Sequence, residues 1–267
     1  MVITFLTDFG LDDDFVGVCH GVIRRIAPDA EVIDVTHGIR PQAVLEGALV
    51  LANALPYMPE GIHLAVVDPE VGGKRRPVAL RTQGGILVGP DNGLLVPAAE
   101  RLGGVDEARE LTNRSLWLER VSRTFHARDI FAPVAAHLAA GVSFEHVGEP
   151  FDPAALVRIE LPEPSVAPGK VTCRCLAIDR FGNVQLNVRA EHLGEAGIER
   201  GNRVEIVLTA ERYSAVAAAT FADVGPGEIV VYEDAYENVS IAISRGSAAD
   251  TFTIEPGDAV AIVRLAS

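Results

Sequence analysis

The sequence predicts a mixed α/β protein, with an N-terminal α/β domain built on a largely parallel sheet and a smaller C-terminal domain made of strands. Three observations carry this. Apolar strand runs alternate with amphipathic helical stretches over the first 68 residues, a β-α-β-α-β order that calls for a parallel sheet covered by helices. Prolines 150, 153, 162, 164 and 168 then punctuate the chain. Beyond them, runs rich in Val, Ile and Thr are separated by Gly, Asn and Asp, as in a small barrel or sandwich. The domain boundaries follow: 1–155 for the α/β domain, 156–168 for a proline-rich linker and 169–267 for the β domain.

Residues 2–6 are a continuous apolar run and read as the first strand. Phe15, Val18, Val22 and Ile26 recur at helical spacing, so a helix follows. Residues 31–35 read as a strand and 42–55 as a helix. The next strand holds Ile62, Leu64, Val66 and Val67 and gives out at Asp68. Residues 77–81 and 85–88 form a hairpin pair, Asp91-Asn92-Gly93 is a turn, and 130–140 is a helix. In the second half the strand runs are 170–178, 203–208, 228–232, 239–243 and 259–265.

Composition narrows the function. The chain has 267 residues, 48% of them hydrophobic, which suits folded domains with their own cores. No apolar run reaches the roughly 20 residues of a membrane span. Residues 1–6 carry neither a basic leader nor a small-residue cleavage site, so a cytoplasmic protein is expected. Lys and Arg total 23 against 37 Asp and Glu, a formal charge of −14. Such a field repels phosphate backbones and argues against nucleic acid, while leaving a cationic small molecule unopposed. Cys19, Cys173 and Cys175 form no CxxC pair, and the last two share one face of a strand, which suits packing.

The chemistry-bearing residues collect where predicted strands end. Asp8, in Thr7-Asp8-Phe9-Gly10, follows the first strand, where a carboxylate can accept both hydroxyls of a ribose diol. Asp12, Asp13 and Asp14 come next and suit a cap on the following helix. Asp68 ends the third strand, and Arg75 and Arg76 lie seven and eight residues on, beyond Gly72 and Gly73. Either arginine could fold back over the carboxylate. Thr124-Phe125-His126-Ala127-Arg128-Asp129 precedes a helix; its His-x-Arg-Asp order occurs in kinase catalytic loops, but no glycine-rich nucleotide loop or Asp-Phe-Gly triplet accompanies it. A histidine there can remove a proton or orient water. Asp179-Arg180-Phe181-Gly182-Asn183 reads as a hairpin turn whose Phe181 can stack on a base and whose Asn183 can pair with an adenine edge. His20, His37 and His63 with nearby carboxylates are metal-ligand types, but they are scattered without HxH or HxxxH spacing, so no metal site is expected.

Together the stretches Thr7-Asp8-Phe9-Gly10 with Asp13, Val67-Asp68-Pro69 through Arg75, Pro90-Asp91-Asn92-Gly93-Leu94-Leu95, Phe125 through Pro133, and Phe181-Gly182-Asn183 resemble the S-adenosylmethionine hydroxide adenosyltransferases, relatives of the fluorinase and chlorinase enzymes. The resemblance implies that the C-terminal domain is a barrel and that the assembly is a homotrimer with active sites between subunits. It implies hydrolysis of S-adenosyl-L-methionine to adenosine and L-methionine, with no metal and no cofactor. It makes Asp68, Arg75 and His126 the group that handles the attacking water, and Asp8 the ribose clamp. Asp179 becomes a partner of the methionine amino group, and Phe181 and Asn183 the adenine contacts. Asp13, Phe125, Ala127, Tyr236 and Arg245 become further substrate contacts.

The departures are informative. The halogenating relatives have serine where this chain has Ala127, and Tyr and Thr where it has Asp68 and Val71. They have aromatic residues at Gln42 and Gln185, and hydrolytic members usually have glycine at Ala127. The competing readings are a non-catalytic protein that binds an adenosyl ligand, a metal-dependent hydrolase and a halogenase.

Overall fold

The computed structural model describes residues 1–209 and 211–265. The chain divides into two compact units, Met1–Ile159 and Glu160–Ser267.

The first unit runs β1 (Val2–Thr7), α1 (Phe15–Ile26), β2 (Glu31–Thr36), α2 (Val44–Ala54), β3 (Gly61–Val66), β4 (Pro77–Thr82), β5 (Gly85–Pro90), α3 (Val96–Arg101), β6 (Glu107–Glu110), α4 (Ala132–Ala139) and β7 (Glu149–Phe151). Its seven-stranded sheet has the order β2-β1-β3-β5-β4-β6-β7. The first four of these are parallel, and β4, β6 and β7 continue antiparallel. The period of two in β1 and β3 sorts their side chains between two cores. Ile3, Phe5, Ile62 and Leu64 meet Val16, Cys19 and Ile23 of α1 and Val134 and Leu138 of α4. Leu6, Ala65 and Val67 meet Ala48 and Leu51 of α2 and Ala98 and Ala99 of α3 on the other face. Burial on both faces is why these strands read as unbroken apolar runs.

Helix α1 forms because Val16, Cys19, Val22 and Ile23 fall on one buried stripe, and it ends just before Pro28 with Arg24 and Arg25 in its last turn. Asp14 sits at the N-cap but makes no side-chain capping bond, and Asp12 and Asp13 are exposed, so capping by the acidic triplet is corrected. Burial pushes the Cys19 thiol up to about 12, which leaves it an inert packing group.

The helix expected over 130–140 begins earlier and differently. Residues Ala127–Phe131 form a π-turn, and the Ala132 N–H reaches the Ala127 carbonyl before α4 proper. Pro133 has no N–H to return to the Asp129 carbonyl, and the Leu118 N–H takes that carbonyl instead at 2.9 Å. Strand β7 was not foreseen, because it contains Pro150. It lies at the far edge of the sheet, where a missing N–H costs no ladder bond.

The second unit contains β8 (Ser165–Ala167), β9 (Lys170–Ile178), β10 (Val184–Leu186), α5 (Ala190–Glu195), β11 (Arg203–Val207), β12 (Arg212–Ala217), β13 (Ile229–Glu233), β14 (Val239–Ile243), α6 (Ala248–Phe252) and β15 (Ala259–Arg264). The order β10-β14-β13-β12-β11-β15-β9 closes on itself because β10 also pairs with β9, giving a seven-stranded barrel with β8 added along β9. Val171, Cys173 and Cys175 alternate into its interior with Val204, Ile206, Val231, Ile241 and Ile262. No helix among the described residues is long and apolar enough to cross a membrane.

Leu64 is fully buried at the centre of β3. Leu64→Ala should cost about 2–5 kcal/mol, read as a lower urea midpoint at unchanged slope.

Candidate active site

In β1 and β3, Thr7 pairs with Val66, so the two strands end level. Asp8 and Asp68 therefore emerge at the same carboxyl edge of the sheet. The Asp8 carboxylate accepts the Gln42 backbone N–H at 2.7 Å, and Gln42 adopts a positive φ of 67°, which delays the second helix to Val44. Asn92 donates to the Val67 carbonyl at 2.8 Å, so the Asp91-Asn92-Gly93 turn ties down the strand end that carries Asp68.

Arg75 lies across Asp68. Its Nε is 3.1 and 2.9 Å from the two carboxylate oxygens, and its Nη2 is 2.5 Å from Oδ2. The same Nη2 contacts His126 Nδ1 at 2.8 Å. Both charged side chains are nearly buried, at 4% exposure for Arg75 and 5% for Asp68, and the guanidinium also rests on the Phe131 ring. Arg76 goes elsewhere, to Asp91 and the Ala155 carbonyl. Neighbouring residues in an extended segment point in opposite directions, so only one of the two arginines can reach Asp68.

An arginine N–H has only a donor to offer, so His126 Nδ1 must be an acceptor and Nε2 carries the ring proton. Burial lowers the His126 pKa from its ordinary 6.5 and the Arg75 charge lowers it further, against the opposing pull of Asp68, Asp129 and a hydrogen bond to the Ser122 backbone. With Nδ1 taken by Arg75, that backbone partner falls to Nε2.

Asp129 is fully buried. It accepts the Ser122 N–H at 2.7 Å and pairs with Arg128 at 2.6 Å, fixing the loop that presents His126. Gly72 brings the Arg75 loop against that same loop. Its φ is +77°, and a Cβ would lie 2.3 Å from the Arg123 carbonyl oxygen, so only glycine fits. Phe125 meets Phe9 and Phe15 edge-on at 5.9 and 5.1 Å, forming an aromatic wall with Phe15 41% exposed. Ala127 is buried, whereas Asp13 is exposed.

In the barrel unit, Asp179 organises its own turn. Its carboxylate accepts the Phe181 and Asn183 N–H groups at 2.8 and 2.9 Å and the Asn183 amide at 2.7 Å. Gly182, at φ +81°, leaves no room for a Cβ beside Ser247. This turn holds Phe181 78% exposed. Asp234 plays a similar part in its own turn, accepting the Tyr236 and Asn238 N–H groups, the Gln185 amide and the Ser240 hydroxyl. Burial, then Asp179 and Asp234, push the Tyr232 hydroxyl up to about 12. Tyr236 and Arg245 are exposed, Arg245 at a positive φ of 61°. Tyr232 carries no signal in the sequence that sets it apart from an ordinary strand residue.

Residues 3–148 match the family model described as the SAM hydroxide adenosyltransferase N-terminal domain, and 173–261 match its C-terminal domain. A protein of Salinispora tropica named (R)-S-adenosyl-L-methionine hydrolase is 49% identical, over 96% of this chain and 95% of its own length. A fluorinase of Actinopolyspora mzabensis is 31% identical, over 98% and 97%. A crystal structure of a conserved protein from Thermotoga maritima superposes with a TM-score of 0.91 at 37% identity, covering 98% of this chain and all of that one.

A pH titration by NMR should place the His126 midpoint below 6.5, and Arg75→Gln should raise it by removing a cation and freeing Nδ1. Because the unfolded chain takes up this proton first as pH falls, His126 adds stability above 6.5 that is lost on acidification through the folded midpoint. A midpoint at or above 6.5 would contradict the neutral assignment.

Proposed function

The chain belongs to the SAM hydroxide adenosyltransferase family, and on that premise we propose that it hydrolyses S-adenosyl-L-methionine to adenosine and L-methionine by attack of water at ribose C5′. The observation that carries the mechanism is the part-buried Asp68–Arg75–His126 chain at the carboxyl edge of the sheet. The sulfonium is already an activated leaving group, so no acid is needed on that side. The demanding partner is water, whose pKa in bulk is about 15.7.

Each member of the chain has a distinct part in that task. Arg75 supplies positive charge that favours developing hydroxide. His126, neutral and held by the Ser122 backbone, accepts from Arg75 through Nδ1 and so fixes the guanidinium against the water. Three contacts from Arg75 leave the Asp68 carboxylate with acceptor capacity, since it has about four lone-pair sites, so Asp68 takes the proton. Hydroxide-like oxygen attacking a sulfonium annihilates charge, and a poorly hydrated site strengthens their attraction. Alignment of water with the C5′–S bond adds the effect of proximity.

Asp8 is proposed to hold the ribose diol. Asp13, Phe125 and Ala127 line the substrate on the same side. Phe181 and Asn183 contact adenine, and Asp179, Tyr236 and Arg245 address the methionine end. Support for Phe181 is its exposure on a rigid turn. Asp179 would serve methionine through the lone pair its turn leaves free. The proposed enzyme is a cytoplasmic homotrimer whose active sites draw on neighbouring subunits, and its chemistry uses neither metal nor cofactor. Water rather than halide is favoured by Ala127, which has no hydroxyl to hold an anion.

Chromatography of the purified protein with S-adenosyl-L-methionine should show adenosine and methionine in equal amounts, undiminished by chelator and with no 5′-halo product when chloride or fluoride is added. The sulfonium epimers should be supplied separately, since the Salinispora relative is named for the (R) form. Binding without turnover would sink the proposal.

Asp68→Asn, Arg75→Ala and His126→Ala should each lower kcat by about 10²–10⁴ while KM moves less. Phe181→Ala should instead act mainly on KM. Sedimentation should give a trimer, and at substrate well below the raised KM of Phe181→Ala, mixed trimers of Asp68→Asn with Phe181→Ala subunits should turn over faster than either variant alone.

A further inference from the structure

Three residues outside the proposed active site converge in the first unit. His20 lies on α1, Asp34 on the edge strand β2, and His37 just beyond that strand. Asp34 Oδ1 is 2.9 Å from His20 Nε2 and 3.1 Å from His37 Nε2, and one donor atom from each residue lies within 4.8 Å of the others.

An ordinary hydrogen bond accounts for the first contact but not for the second. His37 is 3% exposed, yet its Nε2 makes no hydrogen bond despite the oxygen 3.1 Å away, because that oxygen lies too far off the direction of a ring N–H. The other ring nitrogen, Nδ1, is 2.8 Å from Thr7 Oγ1, the same oxygen that accepts the Phe9 N–H. In the tautomer that donates Nδ1–H to Thr7, the buried Nε2 lone pair has no hydrogen-bond partner. Leaving that atom unsatisfied is unfavourable, and a cation shared with the nearby Asp34 carboxylate would satisfy it.

We propose that His20, Asp34 and His37 bind one divalent cation of the zinc type through two imidazole Nε2 atoms and a carboxylate oxygen, with water as the fourth ligand. Two imidazoles and one carboxylate suit zinc, and three protein ligands leave a tetrahedral position open. The surroundings match what such sites need. Thr7 fixes the His37 ring from behind, as an outer partner does for a metal-bound histidine. The Phe5 ring, with its centroid 4.8 Å from that of His37 and 5.9 Å from that of His20, makes an apolar floor. His20 and Asp34 are 35% and 42% exposed, and His20 lines a cleft of about 640 Å³ together with Arg24, Asp29 and Glu31.

The site is structural in this arrangement. It joins α1 to the edge strand, and through His37 it reaches the loop carrying Asp8, since the His37 carbonyl accepts the Gly10 N–H at 2.8 Å.

Untagged protein stripped with chelator should bind one Zn²⁺ per chain by calorimetry, melt at higher temperature when loaded, and give the visible absorption of four-coordinate Co²⁺ when cobalt replaces zinc. His20→Ala and Asp34→Asn, both at partly exposed positions that should still fold, should each weaken binding at least about tenfold. The absence of saturable binding near one ion per chain would overturn the proposal. So would binding that both variants leave unchanged, since the ion would then sit elsewhere.

Discussion

A strand covered by helices on both faces has no solvent side, so every polar group along it needs an internal partner. β1 and β3 obey this. Thr4 bonds His63 and Thr7 bonds His37, all four of them buried. The first positions free of the constraint are those where the chain leaves the sheet. Because β1 and β3 run parallel and end level, the two positions at which a carboxylate can face outward, Asp8 and Asp68, lie on one edge. The candidate active site in the first unit follows from that register.

Arg75 turns this edge into a working group. A buried carboxylate alone would be strongly unfavourable, and loss of either partner from a buried pair costs about 3–5 kcal/mol. Arg75 satisfies Asp68 from two nitrogens and extends the same Nη2 to His126, so the position of one guanidinium sets both the charge balance of the carboxylate and the tautomer of the imidazole. The loop bearing His126 is held independently, by buried Asp129 and by the π-turn that Pro133 brings about. Two separately anchored loops therefore meet over a rigid strand end, the preorganisation that alignment of water requires.

The barrel unit solves a different problem. Its turns carry the polar groups, and Asp179 and Asp234 each spend acceptor capacity on their own loops. Phe181 is thereby presented to solvent without the loss of order that an exposed aromatic on a loose loop would entail. The (R)-S-adenosyl-L-methionine hydrolase and fluorinase relatives match this chain over nearly their full length, so the similarity runs through both units.

Much of this was legible in the residues. Apolar runs marked β1 and β3, helical spacing marked α1, the turn signals marked the β4–β5 hairpin, and strand ends pointed to Asp8 and Asp68. These are local properties, set by side-chain alternation and turn chemistry within a few residues. What lay beyond them needed contacts between distant segments. Spacing left Arg75 and Arg76 equivalent, and resemblance to a family chose between them before the fold did; in the structure it is backbone direction that sends one to Asp68 and the other to Asp91. Strand β7 hid behind Pro150, tolerable only at an edge, and edge position is a property of the sheet. His20 and His37 looked scattered because 17 positions separate them, yet helix α1 crossing the edge strand brings both to Asp34. The sequence by itself determined which residues could be buried and which could react; the tertiary structure decided which of them meet, because proximity across a sheet depends on register and crossover, and neither is written in the spacing of residues along the chain.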